Sequence, residues 1–202
     1  MVRRTKAEAE KTRDLILDTA EVIFHEKGVA RTSLNDIAGA AGVTRGAIYW
    51  HFKNKADLFD AMIRRMTLPV EATPRLSDSD DDPIGFVRNC AVSILKRVAS
   101  DQQSQRILDI ISHKCEYVDE MAQIHERRAA SRAECLKKIE DGIRNAINKK
   151  QLPESLSPRY AAVGLHALID GLIRNWIIDK TFFPLEKQGE KIIDAYINGL
   201  RT

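Results

Sequence analysis

Residues 33–52 read SLNDIAGAAGVTRGAIYWHF, and this stretch decides the fold. Its pattern predicts two short helices joined by a tight turn. Ser33 is a favoured N-cap, and Asp36, three residues later, can bond back to it in a variant of the capping box. Gly42 suits the left-handed backbone that closes a helix, and Thr44 can cap the helix that follows. Two short helices in this order are typical of a helix-turn-helix.

The second of these helices has two unlike faces. At about 100° per residue, Ile48 points to one side of the helix. The opposite side carries a guanidinium, a bare backbone and two aromatic rings, from Arg45, Gly46, Tyr49 and Trp50. We therefore expect one face in a core and the other against an outside partner, as in a helix that reads the DNA major groove.

Three segments carry a resemblance to a known family. Residues 46–59, GAIYWHFKNKADLF, resemble the signature of the TetR family of bacterial repressors. Residues 113–116 (HKCE) and 170–176 (DGLIRNW) resemble its AcrR/TtgR-type branch, the repressors of multidrug efflux pumps. The N-terminal resemblance covers roughly residues 10–60, and the downstream one extends along most of the chain.

The resemblance implies an all-α protein of about nine helices in two domains. Residues 1–54 would form a three-helix DNA-binding domain with the helix-turn-helix, and residues 55–202 a helical ligand-binding and dimerisation domain. A fourth helix, starting at about Asn54, would link them. A two-fold dimer would bind a palindromic operator with half-sites about one helical turn apart, ~34–36 Å, or somewhat wider.

We expect the DNA contacts in and around the helix-turn-helix. Arg45 can pair with O6 and N7 of a guanine, and Gly46 lets the backbone approach the DNA closely. Tyr49 can touch a thymine methyl or form a hydrogen bond with a phosphate. Trp50 either packs within the protein or contacts the DNA backbone. Lys55, at a helix N-terminus, suits a phosphate. The predicted DNA-binding residues are Thr32, Ser33, Thr44, Arg45, Gly46, Ala47, Tyr49, Trp50, His51 and Lys55.

The placement of charge agrees with this interpretation. Residues 1–67 hold twelve Lys/Arg and nine Asp/Glu, a net charge of +3, and the rest of the chain is balanced. The excess positive charge therefore lies in the segment with the helix-turn-helix, as a phosphate-binding surface requires. Arg3, Arg4 and Lys6 form a basic arm, which is either a frayed terminus or an additional DNA contact.

Caps, prolines and apolar spacing predict the other helices. Residues 69–83 form a predicted loop, and its acidic run 78–82 lacks the glycine and terminal glutamate of a calcium site. The predicted bounds are helix 1 to about Lys27, helix 5 from Pro83 to about Ser100, helix 6 from roughly Gln103 to Cys115, helix 7 from about Glu120 to Lys149, helix 8 from Pro158 to Ile178 and helix 9 from about Glu190 to Leu200.

Helix 8 is apolar almost all round, which predicts burial on most sides. His166, Asp170 and Arg174 form one polar stripe on it. The stripe is either a structural Asp170–Arg174 pair with His166 hydrogen-bonded nearby, or the polar part of a small-molecule pocket. By the resemblance, the ligand-binding residues would be Leu108, Ser112, Cys135, His166, Ile169, Asp170 and Arg174.

The two C-terminal helices also predict a subunit interface. Gly164, Ala167 and Gly171 form a small-residue strip that allows another helix to approach closely, and helix 9 has its own apolar face. Two such hairpins paired across a two-fold axis form a four-helix bundle, so we expect a homodimer through these helices.

Several functional classes find no support in the sequence. It contains no H-E-x-x-H, phosphate-binding glycine loop or G-x-S-x-G, so we expect neither an enzyme nor a cofactor. His113 and Cys115 diverge by about 200° on a helix, so we expect no metal there. Three scattered cysteines suit a reducing cytosol, and we see no secretory leader and no apolar run of membrane-span length. A cytoplasmic protein without a membrane partner is expected.

The resemblance thus implies a ligand-responsive repressor that small amphipathic or aromatic molecules release from its operator, in control of a multidrug efflux operon. Two alternatives remain open at this point. One is a ligand-blind DNA-binding dimer, and the other is a regulator of other genes, including an activator.

Overall fold

The structure is a computed structural model that describes residues 6–66, 81–117 and 121–201. Those residues form nine α-helices and one π-helical turn, as the all-α prediction expects. The helices are α1 Lys6–Lys27, α2 Leu34–Ala40, α3 Arg45–His51, α4 Lys55–Arg64, α5 Pro83–Ser100, α6 Gln102–Asp109, α7 Ala122–Asn148, α8 Pro158–Ile178 and α9 Leu185–Gly199. The π-helical turn, Ile110–Lys114, follows α6. Arg3 and Arg4 of the predicted arm, most of the acidic run and Glu120 lie outside the described residues.

The chain divides into two compact units that do not follow the predicted boundary at residue 54. The first unit joins Met1–Met66 with Arg106–Arg127. The second joins Thr67–Gln105 with Arg128–Thr202. The helix α4, predicted as a linker, therefore belongs to the first unit, because its apolar face packs into that unit's core.

The core of the first unit is built around α1. Leu17 and Phe24 of that helix are fully buried, and the Phe24 ring meets the edge of Phe59 from α4 at 5.8 Å between centroids. Ile48 of α3 is fully buried in the same cluster. Ile110, from the π-helical turn, completes it. One face of α3 is thus anchored in a core, as predicted.

The turn between α2 and α3 closes as its residues predict. The Ser33 hydroxyl accepts from the Asp36 amide at 3.2 Å, and the Asp36 carboxylate accepts from the Ser33 amide at 2.8 Å. The Ser33 hydroxyl also donates to the Asp36 carboxylate at 2.6 Å, and this bond, followed by the one from the Ser33 amide, lowers the pKa of Asp36. At the other end Gly42 has φ +66, and the Val43 amide donates to the Ala38 carbonyl at 3.0 Å. This is a Schellman closure, which fixes the angle at which α3 leaves α2.

In the second unit, α9 packs along α5. A Cβ at Gly189 would collide with Leu95 of α5, so the helices approach closely there. Arg88 of α5 bonds Glu190 at 2.8 Å and Asp194 at 2.9 Å. The sequence prediction started this helix at Glu190, and it begins five residues earlier, because the first turn is held by the buried Leu185.

The burial predicted for helix 8 was wrong for a single chain. Pro158 starts α8 as predicted, after the N-cap Ser157, and Leu165 and Ile169 are buried. Other apolar side chains stand in solvent, with Tyr160 80% exposed and Ile178 70% exposed. The helix therefore buries one side and leaves another side uncovered.

A second correction concerns the apolar length of α8. Among the described residues, α8 is the one helix that is long and apolar enough to cross a membrane by length and composition. The sequence pattern predicts no apolar run of that length. A helix that packs one face against a soluble core meets the same criterion, so this is weak evidence for a membrane span.

Candidate DNA interface and effector site

The outward side of α3 forms a compact surface, here called the reading face, made of Arg45, Gly46, Tyr49 and Trp50. Trp50 is 73% exposed and Tyr49 is 45% exposed. A Cβ at Gly46 would meet only the Thr44 hydroxyl, at 3.9 Å, so the backbone is open there. Since the Trp50 ring stands in solvent and touches the edge of His51 at 4.6 Å, core packing does not account for it.

The side of α3 opposite the reading face is anchored in the core of the first unit. Ile48 is fully buried and Phe52, which ends α3, is 1% exposed. At the N-terminus, the exposed Thr44 hydroxyl accepts from the amide of the half-buried Ala47 at 3.2 Å. A short helix anchored at both ends presents its outer side chains in fixed positions, which recognition of a rigid duplex requires.

Three of the predicted phosphate contacts, Thr32, Ser33 and Lys55, differ in how far their side chains are exposed. Thr32 is 2% exposed and its hydroxyl donates to the Gly28 carbonyl at 2.8 Å, so this side chain is used inside the fold and is not presented to a phosphate. Ser33 is exposed but serves the capping box. Lys55 is half-buried and its ammonium donates to the Val29 carbonyl at 3.0 Å. Exposure therefore supports Ser33 and argues against Thr32.

An open cleft of about 430 Å³ adjoins the reading face at Tyr49. Two exposed cations line it, Arg31 and Lys53, together with Lys55. Sequence reasoning missed Arg31 and Lys53 as candidate phosphate contacts. Arg31 lies two residues before the N-cap of α2, and Lys53 lies one residue before the N-cap of α4. A cation just before a helix N-terminus, where a phosphate can bind, was the signal available in the sequence.

The predicted effector residues are distributed over both units. Leu108 and Ser112 lie in the first unit, on α6 and the π-helical turn, and both are half-buried. In the second unit Cys135 of α7 is half-buried and Ile169 of α8 is buried. That these residues surround one effector stays a prediction.

The polar stripe of α8 contains the ion pair that the structural interpretation predicts. Arg174 Nε lies 2.8 Å from the Asp170 carboxylate, and both side chains are about half exposed. Burial lowers the pKa of His166, opposed by Asp170 and assisted by the charge of Arg132 on α7. The stripe thus combines an exposed charged pair with a half-buried histidine whose charged form is disfavoured by desolvation.

A different side of α8 carries a cavity of about 550 Å³, here called the apolar groove. It is lined by Ala167, Leu168, Gly171, Leu172, Asn175, Phe182, Phe183, Gln188 and Ile192. Its centre lies roughly 130° around the helix from the polar stripe. None of the lining residues is charged.

The predicted small-residue strip is divided between two roles. A Cβ at Gly164 would collide with the Tyr196 hydroxyl, which donates to the Ala161 carbonyl at 2.8 Å. Gly164 therefore serves packing of α8 on α9 within one chain. A Cβ at Gly171 would meet nothing within 4 Å. Gly171 is thus available for close approach from outside.

Within residues 6–66, 81–117 and 121–201, no group of three His, Cys, Asp or Glu is placed to hold a metal ion. His113 lies on the π-helical turn, and its Nδ1 is 2.8 Å from the Asp109 carboxylate. The same carboxylate lies 3.2 Å from His25 of α1. These contacts join α6 to α1 inside the first unit.

Two family descriptions match the chain. Residues 16–62 match the bacterial regulatory proteins of the tetR family, and residues 82–202 match the C-terminal region of MAATS-type transcriptional repressors. The chain belongs to the TetR family. Its members are DNA-binding transcription regulators, a class distinct from enzymes.

Similar TetR-family proteins match along nearly the whole chain. The HTH-type transcriptional regulator TtgR of Pseudomonas putida is 42% identical over 203 residues, covering 100% of this chain and 97% of TtgR. The crystal structure of NalD, the secondary repressor of the MexAB-OprM multidrug efflux pump in Pseudomonas aeruginosa, superposes with a TM-score of 0.88. It is 38% identical and covers 96% of this chain and 98% of NalD. A SmeT–triclosan complex has a TM-score of 0.84 at 30% identity, covering 95% of this chain and 92% of SmeT.

Proposed function

We propose that this TetR-family protein is a cytoplasmic, dimeric repressor that leaves a palindromic operator when a small amphipathic or aromatic molecule binds. The observation that carries the proposal is the reading face. It presents a guanidinium, an open backbone and two exposed rings from a helix anchored in a core. The flanking cations Arg31, Lys53 and Lys55 suit the phosphates on either side of a major groove.

Dimerisation is supported by the apolar groove. A single helix-turn-helix reads few base pairs, so a specific site requires two copies related by a two-fold axis. The groove is uncharged, and Gly171 leaves room for another helix. Large uncovered apolar surface is typical of subunit interfaces.

Effector binding is supported by relatives and by the chemistry of α8. SmeT is described in complex with triclosan, a small aromatic molecule. The proposed effector residues are Leu108, Ser112, Cys135, His166, Ile169, Asp170 and Arg174, which combine apolar side chains with a few polar groups. A coupling free energy of about 1–3 kcal/mol between effector and operator is sufficient, and linkage makes the effect reciprocal.

The target gene is inferred from the same relatives. NalD is described as a repressor of a multidrug efflux pump, and TtgR as a transcriptional regulator. We infer that this protein controls an efflux operon in the same way. The rival function is a ligand-blind DNA-binding dimer, which the exposed Asp170–Arg174 pair favours because that pair already explains the stripe without a ligand.

The test is fluorescence anisotropy of the protein on the DNA upstream of its own gene, titrated with amphipathic antibiotics and plant phenolics. Salt-dependent, specific binding that several unrelated compounds reverse is the expected result. Specific binding that no compound disturbs would support the ligand-blind dimer. Absence of any sequence preference would overturn the proposal.

A further inference from the structure

Arg45 and Tyr49 on the reading face are in contact with each other. Arg45 is the first residue of α3 and Tyr49 lies one turn later on the same side. The guanidinium carbon lies over the Tyr49 ring, 5.5 Å from its centroid. Both side chains are exposed. This distance is within the range of an attraction between a cation and an aromatic ring.

Helix electrostatics do not explain why Arg45 is there. The N-terminus of a helix carries partial positive charge, which repels a cation. The first turn of α3 contains no acidic residue that could pair with Arg45. Among the described residues, the contact with the Tyr49 ring is therefore the interaction that restrains this guanidinium.

We propose that Tyr49 is a positioning residue for Arg45, so that the two side chains read one guanine as a unit. A guanidinium in contact with a ring uses its face, and its N–H donors point outward in its plane. Bidentate pairing with O6 and N7 of guanine uses that edge. Both contacts can therefore be made together. Arg45 then loses less side-chain freedom on binding, because the ring already restricts it.

The other aromatic ring on the same face shows that the contact is selective. Trp50 is more exposed than Tyr49 and has its own edge contact with His51. Gly46, next to Arg45, contributes no side chain that could restrain it. Tyr49 is therefore assigned to support Arg45, rather than to a separate base or phosphate.

This inference rests on the proposed function, and the experiment separates the two. The wild-type protein first selects its highest-affinity duplex from a random library. Four variants are then measured on it by anisotropy: Arg45→Ala, Tyr49→Phe, Tyr49→Leu and the double variant Arg45→Ala/Tyr49→Leu. Phe keeps the ring without the hydroxyl, and Leu removes the ring. Duplexes substituted at each base pair locate the position that Arg45 reads.

The expected results follow from the shared role. Tyr49→Leu should lose about fivefold in affinity and relax preference at the same base pair as Arg45→Ala, whereas Tyr49→Phe should lose less and keep that preference, because its ring is retained. In the Arg45→Ala background, Tyr49→Leu should have no further effect. If Tyr49→Phe loses as much as Tyr49→Leu, or the two losses add, Tyr49 makes its own DNA contact and the inference is wrong.

A measurement without DNA completes the test. In the labelled full-length protein, the Tyr49 ring current should displace the NMR signals of the Arg45 side chain. The displacement should persist in Tyr49→Phe and vanish in Tyr49→Leu. Its absence in the wild-type protein would overturn the inference even if operator binding is normal. Failure of the wild type to select any sequence would instead overturn the proposed function, and this inference with it.

Discussion

The reading face and the apolar groove both expose apolar side chains from a helix that is anchored on its other side. They differ in size and in charge. The reading face lies on a seven-residue helix, mixes a guanidinium with two polar-tipped rings, and adjoins a cleft with three cations. The groove extends along a 21-residue helix and its neighbours and contains no charged residue. Exposed rings among cations suit nucleic acid, and a broad uncharged surface suits another protein chain.

The largest expected effect is a loss of dimer affinity in a variant that changes only the apolar groove. A Cβ added at Gly171 meets nothing within 4 Å, and Glu is a better helix former than Gly, so the Gly171→Glu monomer should fold about as stably as wild type. An unpaired carboxylate in a subunit interface should weaken association on the order of 100-fold or more, and operator binding with it. Sedimentation velocity gives the dimer constant. Ala133→Glu, at an exposed position of α7, controls for the added charge. A fully dimeric Gly171→Glu protein would show that the groove is not the interface.

A smaller effect should come from the reading face. Arg45→Ala should cost about 1–3 kcal/mol of operator affinity and relax specificity at one base pair, with no change in the dimer constant. The measurement is anisotropy on a set of duplexes substituted at single positions. Equal weakening on every duplex would mean that Arg45 contacts the backbone and not a base.

The cations beside the reading face allow a matched pair. Lys53→Ala should reduce the slope of log K against log salt by about 0.9 and leave stability unchanged. Lys55→Ala should show the same slope change and also lose about 1 kcal/mol of unfolding free energy, because its ammonium bonds the Val29 carbonyl. Binding at several salt concentrations and urea unfolding separate the two. An unchanged salt slope in both would remove the cleft from the DNA interface.

The smallest effect on stability is expected in the polar stripe. Asp170→Asn keeps the shape of the side chain and removes an exposed pair, which should cost at most about 0.5 kcal/mol of unfolding free energy. Operator affinity should stay near wild type, while the effector concentration needed for release should change. Glu134→Gln, which breaks a comparable pair with Lys138 on α7, is the control. Equal effector response in both variants would favour the structural role of the stripe.

Local chemistry explains what the sequence could predict. The caps at Ser33, Thr44, Asn54 and Ser157 all form, because each depends on groups within four residues. The opposed faces of α3 follow from helical periodicity in the same way.

Burial, unlike a cap, depends on how separate segments of the chain pack together. Thr32 has the residue type of a phosphate ligand, and only the folded chain shows that its side chain is buried, with its hydroxyl donating to the Gly28 carbonyl. The start of α9 depends on Leu185 and on Gly189 meeting α5. The apolar composition of α8 predicted burial but could not distinguish burial by the chain's own core from burial by a partner, since both require the same residues.

The composition of the first unit sets a condition for exchanging sensors between relatives. Its core is discontinuous in sequence, since Arg106–Arg127 pack with the N-terminal helices. Glu21 of α1 is 2% exposed and lies 2.6 Å from Arg106, and the Val29 amide donates to the Lys114 carbonyl at 2.9 Å. A chimera cut once after α4 would combine the N-terminal helices with a foreign π-helical turn and a foreign end of α6. A hybrid that keeps this core intact must therefore carry both segments.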